Sequence, residues 1–156
     1  MEYGGVKMNL VKERLEHFIN LRHRLVGTIN EMVQLESDCY DETKQSIDYT
    51  CEIKEWMINP GRMLHGGIVA TVIDMSMGGC AYVYSDAYYV PTISMNVQYL
   101  SAMHVGETMY IHARVLRIGK DVIQTSADIT NVDGKICYHA TASYALKRKD
   151  RYYEYK

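Results

Sequence analysis

Apolar and polar residues change rhythm several times along the chain. Over residues 6–33, Leu10, Phe18, Leu21, Leu25, Ile29 and Val33 recur at helical spacing, with Lys12, Glu13, Glu16 and Arg24 between them. That pattern predicts an amphipathic helix, which Gly27 could interrupt. Residues 36–45 are polar and read as a loop. From Ser46 the period becomes two: Ile47, Tyr49, Cys51 and Ile53 alternate with Asp48, Thr50, Glu52 and Lys54, as in a half-buried strand. Asn59-Pro60-Gly61 signals a turn, and residues 66–84 form an apolar helical run whose one charge is Asp74. Period two then returns over residues 90–100, 108–118, 121–130 and 135–147. Gly119-Lys120 and Asp133-Gly134 separate the last three as hairpin turns.

The order is helix, strand, long central helix and four strands that should meander antiparallel. This defines an α+β protein whose sheet needs one face covered, and the central helix is the element apolar enough to cover it. That helix is apolar nearly all round, so a second sheet face or a partner subunit should cover the rest. The chain divides into an N-terminal helix and loop (1–45), a main domain (46–147) and a polar basic tail (148–156). Its 156 residues suit one domain.

Composition narrows the function. A formal net charge of −2 without a block of like charges argues against nucleic-acid binding. Cys39, Cys51, Cys80 and Cys137 show no C-x-x-C pairing, and the N-terminus has no apolar leader with a small-residue cleavage site. Buried thiols in a cytoplasmic protein are therefore expected. The six histidines show no metal-binding spacing, so no metal is expected. The 66–84 run approaches membrane-spanning length, but an acid at its centre and glycines at 66, 67, 78 and 79 favour a helix inside the protein.

The stretch Asn59 to Gly67, followed by Asp74, carries the candidate chemistry. Gly66 and Gly67 open a helix, where backbone N–H groups lack intrahelical partners and the dipole favours negative charge. Such a start could hold a carbonyl oxygen as it gains charge. Asn59 adds a neutral amide donor just before it. Asp74 lies about two turns further on, beside Ala70, Met77, Gly78 and Ala81. Partial desolvation there would make it a better base near neutrality. Gly66 and Asp74 of one helix are roughly 12 Å apart, too far to act on one carbonyl. A site using both needs two antiparallel helices, hence a dimer. On these residues alone, a buried acid capping some backbone group explains Asp74 about as well.

The run N-x-x-x-x-x-H-G-G with an acid nine residues after the histidine resembles the hotdog-fold acyl-CoA thioesterases of the phenylacetate-pathway type. The resemblance covers about residues 46–147. It continues through Val90 to Leu100, Gly106-Glu107, Arg117 to Lys120 and the Asp133-Gly134-Lys135 hairpin. It implies a hotdog fold, a sheet wrapped round a central helix, here with an extra N-terminal helix. It implies that the Gly66 N–H polarises a thioester carbonyl, that Asp74 attacks it or activates water, and that Asn59 lies beside it. His65 would help hold the thioester, and Thr92 would hydrogen-bond the attacking water. Tyr99, Arg117, Gly119 and Lys120 match positions that touch coenzyme A, although Asp121 weakens the local positive field. No cofactor is implied, because coenzyme A is part of the substrate. A homodimer is the minimal unit, with a dimer of dimers expected.

Hydrolysis of an acyl-CoA is thus the leading expectation. A non-catalytic acyl-CoA sensor on the same fold is the alternative, although a sensor would not need the acid. Tyr82, Tyr84, Tyr88 and Tyr89 could line an acyl pocket, but partly exposed packing explains them more simply.

Overall fold

The computed structural model of the chain describes residues 4–148. Of the basic tail, only Arg148 falls within these bounds. Helix α1 (Gly4–Arg24) and the short α2 (Ile29–Val33) precede strands β1 (Glu36–Asp41) and β2 (Ser46–Glu52). Helix α3 (Gly66–Val83) follows, then β3 (Thr92–Tyr99), β4 (Thr108–Ile118), β5 (Val122–Thr130) and β6 (Ile136–Ala145). The N-terminal helix breaks where Gly27 takes a positive φ of 75°, a conformation that suits glycine.

The six strands form one antiparallel sheet in the order β1-β2-β4-β5-β6-β3. Two expectations need correction here. Residues 36–45 are not all loop, because β1 pairs with β2 across a bulge and only the following residues turn. Edge strands carry polar residues and bulges, which hides them from a period-two reading. The last four strands also do not meander in sequence. Only β4, β5 and β6 do, while β3 crosses to the far edge beside β6.

Alternation sends Ile47, Tyr49 and Cys51 of β2 inward, with Met109, Ile111 and Ala113 of β4, and these side chains are buried. Ile123, Ala127 and Ile129 of β5 and Tyr138, Ala140 and Tyr144 of β6 complete that face. Against it lie Val69, Val72, Ile73, Met77, Cys80 and Ala81 of α3, all buried. At the apolar coefficient of about 25 cal/mol per Å², each buried Val, Ile or Met among them contributes roughly 1.5–3 kcal/mol.

Within the chain, α1 covers much of the remaining surface of α3, a role expected of a second sheet face or a partner. Leu15 and Ile19 are buried in the same core. The Phe18 ring sits so close to Gly79 that a Cβ there would lie 2.4 Å from it and 2.7 Å from the Tyr49 hydroxyl. Glycine at 79 is what lets the helices meet. Arg14 fastens the C-terminal end of α3, about one turn beyond Gly79. Its guanidinium stacks 3.9 Å over Tyr82 and donates to the carbonyls of Tyr82 (2.6 and 3.0 Å) and Ala87 (2.7 Å). A cation on the last carbonyls of a helix is favourable. Cys51, Cys80 and Cys137 are buried as expected, whereas Cys39, on the edge strand, is exposed.

Candidate active site

The start of α3 is fixed by its own sequence. His65 is the N-cap, and its Nδ1 accepts the Gly67 N–H at 2.9 Å. The neutral ring then carries its proton on Nε2. The backbone N–H groups of Leu64 and His65 donate to the carbonyls of Met103 and Met57, both at 2.8 Å, and lock the entry. Ahead of it, Asn59 closes a small loop in which its N–H donates to the Met63 carbonyl (2.8 Å) and its Oδ1 accepts the Met63 N–H (3.2 Å). Because a backbone N–H can only donate, the side-chain oxygen is committed and the Nδ2 group is left as a donor.

Gly66 follows His65. Among the described residues its N–H has no acceptor, as the first turn of a helix requires. Its carbonyl accepts the Tyr99 hydroxyl at 2.9 Å. A Cβ added at Gly66 would meet nothing nearer than the Tyr99 ring at 3.5 Å, an ordinary contact, so packing within the chain does not demand glycine there.

Asp74 lies at the other end of the arrangement. Thr92, at the start of β3, donates to its Oδ1 at 2.9 Å, and Tyr144 of β6 donates to the same oxygen at 3.0 Å. Tyr144 also reaches the Asp74 carbonyl at 3.2 Å. Burial, and then the nearby carboxylate, push the Tyr144 phenol far above its usual range, so it remains a donor. Oδ2 takes no donor among the described residues. Of the neighbours expected around the acid, Gly78 borders the same space, while Met77 and Ala81 turn into the core.

That space is a cavity of about 780 Å³ bounded by Asp74, Thr92 and Tyr144 on one side. The opposite wall comes from α1 and α2, with Phe18, Leu21, Arg22, Ile29 and Asn30. Tyr82, near the end of α3, and Tyr88 and Tyr89 beyond it also line the pocket, whereas Tyr84 does not. Arg22 stacks 3.9 Å over the Phe18 ring and donates from Nη1 to Asn30 Oδ1 at 2.8 Å. Its Nε is buried without an acceptor among the described residues. Burial lowers the Arg22 pKa, against the pull of Tyr49 and Asp74.

One chain therefore brings Asp74 and Thr92 together and leaves Asn59, His65 and Gly66 outside that cavity, at the start of α3. Arg117 is the penultimate residue of β4, and Gly119 and Lys120 form the following turn, whose Gly119 N–H donates to the Val122 carbonyl at 2.8 Å. None of these three lines the cavity, nor does Tyr99. The Lys120 carbonyl accepts from Arg148, which also pairs with Asp86 at 2.5 Å. The sequence reading missed Tyr144 and Arg22. The alternation of β6 marks Tyr144 as inward-facing, but nothing in it indicates a partner 70 residues away.

An antiparallel sheet wrapped round an apolar helix, with an acid on that helix facing a cavity, defines a hotdog-fold protein. The model of the thioesterase superfamily matches residues 61–138, and the chain belongs to that family. It is 33% identical over 95 residues to a Saccharolobus solfataricus protein assigned as an esterase, covering 61% of this chain and 67% of that one. It is 35% identical over 83 residues to human acyl-coenzyme A thioesterase 13, covering 52% of this chain. The chain spans 59% of that relative's length. Among solved structures, the zebrafish thioesterase superfamily member 2 superposes with a TM-score of 0.72 at 24% identity, covering 88% of this chain and 96% of that one. A Streptococcus mutans protein bound to acetyl CoA does so with a TM-score of 0.66 at 21% identity, covering 74% and 91%.

Proposed function

We propose that the protein is an acyl-CoA thioesterase in which Asp74 activates or delivers the oxygen nucleophile. The observation that carries this reading is the Asp74 carboxylate. One of its oxygens is held by two hydroxyls and the other has no donor among the described residues, at the edge of a cavity. In the general-base route, Asp74 takes a proton from water as the water adds to the thioester carbonyl. The C–S bond then breaks, and the departing thiolate recovers the proton. As a nucleophile, Asp74 would add to the carbonyl, the C–S bond would break to release the coenzyme A thiolate, and water would open the resulting anhydride.

The carbonyl oxygen gains negative charge in either route. The Gly66 N–H and the Asn59 amide are suited to receive it. Since roughly 12 Å of helix separates Gly66 from Asp74, both groups come from the second subunit of a homodimer. The exposed edge strand β3, with Ile93 and Tyr99 on its surface, supports pairing of two sheets there. A dimer of dimers in the cytoplasm is the assembly and place that fit this reading. Tyr99, Arg117, Gly119 and Lys120 would receive the coenzyme A portion, with Arg117 and Lys120 supplying positive charge beside the β4–β5 turn. The names of the human relative and the acetyl CoA on the Streptococcus mutans protein support the substrate class.

The test is thiol release from a panel of aryl, short, medium and long acyl-CoAs by wild type and Asp74→Asn. A fall of at least about a hundredfold is expected in the variant, with acyl-CoA binding retained. Near-wild-type hydrolysis by Asp74→Asn would make the acid structural, and binding without any hydrolysis by wild type would favour a sensor.

A further inference from the structure

The far wall of the Asp74 cavity contains a cation, Arg22, that no carboxylate contacts among the described residues. Arg22 forms no ion pair among the described residues; Asp74, the one acid among the described residues that line the cavity, pulls on it electrostatically but makes no contact with it. The guanidinium is held in place on both sides. Its face lies on the Phe18 ring, and Nη1 is tied to Asn30, a neutral amide. Nε is enclosed, so Nη2 is the edge left for a ligand, and it has no acceptor among the described residues. Leaving a partly buried cation unpaired is costly, and a carboxylate oxygen is the partner that forms a charge-assisted hydrogen bond with such an N–H edge. Around it the wall is apolar and aromatic, with Leu21, Ile29 and Tyr88.

We infer that Arg22 is a specificity-determining residue that receives a carboxylate at the distal end of the acyl group, so that the favoured substrates are half-thioesters of dicarboxylic acids. This deepens the thioesterase reading and rests on it. The thioester end lies by Asp74 and Thr92. A short methylene chain crosses the cavity, and the terminal carboxylate meets Nη2. Asn30 acts as a positioning residue by fixing Nη1. Phe18 sets the height of the guanidinium through its seat on Gly79.

The experiment compares two non-hydrolysable thioethers, S-hexyl-coenzyme A and its ω-carboxy counterpart, by calorimetric titration of the full chain. Thiol release from the matching thioesters is followed in parallel. Wild type should bind the carboxy ligand at least about tenfold more tightly, the effect of one hydrogen-bonded ion pair. In Arg22→Met the ratio of the two affinities should collapse to about one or below, while Arg22→Lys, which keeps the charge, retains most of it. Arg22→Gln, neutral but polar, should give the same collapse and serves if Arg22→Met does not fold, as judged by thermal denaturation. A wild-type ratio near one, or a ratio unmoved in the neutral variants, overturns the inference and leaves Arg22 as a fastener between α1 and its surroundings. Thiol release without the preference sinks the inference alone. The preference without thiol release from any thioester sinks the hydrolytic reading alone, and failure to bind either ligand sinks both.

Discussion

Mixing two inactive variants tests the shared site directly. Eight residues at ~1.5 Å rise separate Gly66 from Asp74, so roughly 12 Å lies between the oxyanion donor and the base on one helix. Groups acting on one carbonyl must both approach it within about 3 Å. Each site then takes Asn59 and Gly66 from one subunit and Asp74 from the other, and a symmetric dimer holds two such sites. Asn59→Ala removes the amide donor, and Asp74→Ala removes the base. Each homodimer carries one lesion in both sites. In a mixed dimer, one site collects both lesions and the other escapes both. With equal amounts and random exchange, about half of the dimers are mixed and half of their sites are intact. Thiol release should therefore return to about a quarter of the wild-type rate if sites act independently. Asn59 Oδ1 also holds the Met63 N–H, so the folding of Asn59→Ala must be checked by thermal denaturation first. A mixture that stays inactive, with exchange verified by native mass spectrometry, refutes the composite site.

Neutralising Arg117 and Lys120 together should raise KM for an acyl-CoA more than for the matching acyl-pantetheine, because only the former carries the nucleotide phosphates; equal effects would put the nucleotide elsewhere. Tyr144→Phe removes a hydrogen bond to a carboxylate, worth about 1.5–3 kcal/mol. Its Tm should fall by about 3–12 °C, at about 2–4 °C per kcal/mol. Hydrolysis should slow with it, and an unchanged Tm and rate would mean the phenol does not hold Asp74. Burial pushes the Cys51 thiol up to about 11, whereas an unfolded cysteine titrates near 8.5. A raised native value favours folding fully below about pH 8.5 and is lost as pH climbs toward 11, roughly 3 kcal/mol in all. Cys51→Ala should therefore flatten the alkaline decline of Tm, and an identical slope in both proteins would refute this.

Much of the frame is legible because burial is one-sided. The alternation of Ile47, Tyr49, Cys51 and Ile53 announces β2, and all four are buried. Asp74 stands out as the one charge on an apolar helix. By contrast, β1 has no apolar face to betray it, since an edge strand is satisfied by pairing on one side. The crossing of β3 to β6 depends on register from Thr92 opposite Tyr144 to Tyr99 opposite Tyr138, far along the chain, which periodicity does not encode. Arg22 was hidden for a related reason. On the helix it reads as one more solvated charge, and only the docking of α1 on Gly79 turns it toward the cavity.

That docking divides labour along the chain. The carboxylate and its two hydroxyl partners sit on α3, β3 and β6, while the wall facing them comes from residues upstream of the entire sheet. Phe18 resting on Gly79 works as a spacer of fixed thickness, and Arg14 as the bolt one turn further on. A smaller side chain at 18 would lower that wall and a larger one would lift it, with Asp74, Thr92 and Tyr144 left in place. The depth of the pocket can thus drift from one descendant to another by changes in a single helix, without retuning the reaction it serves.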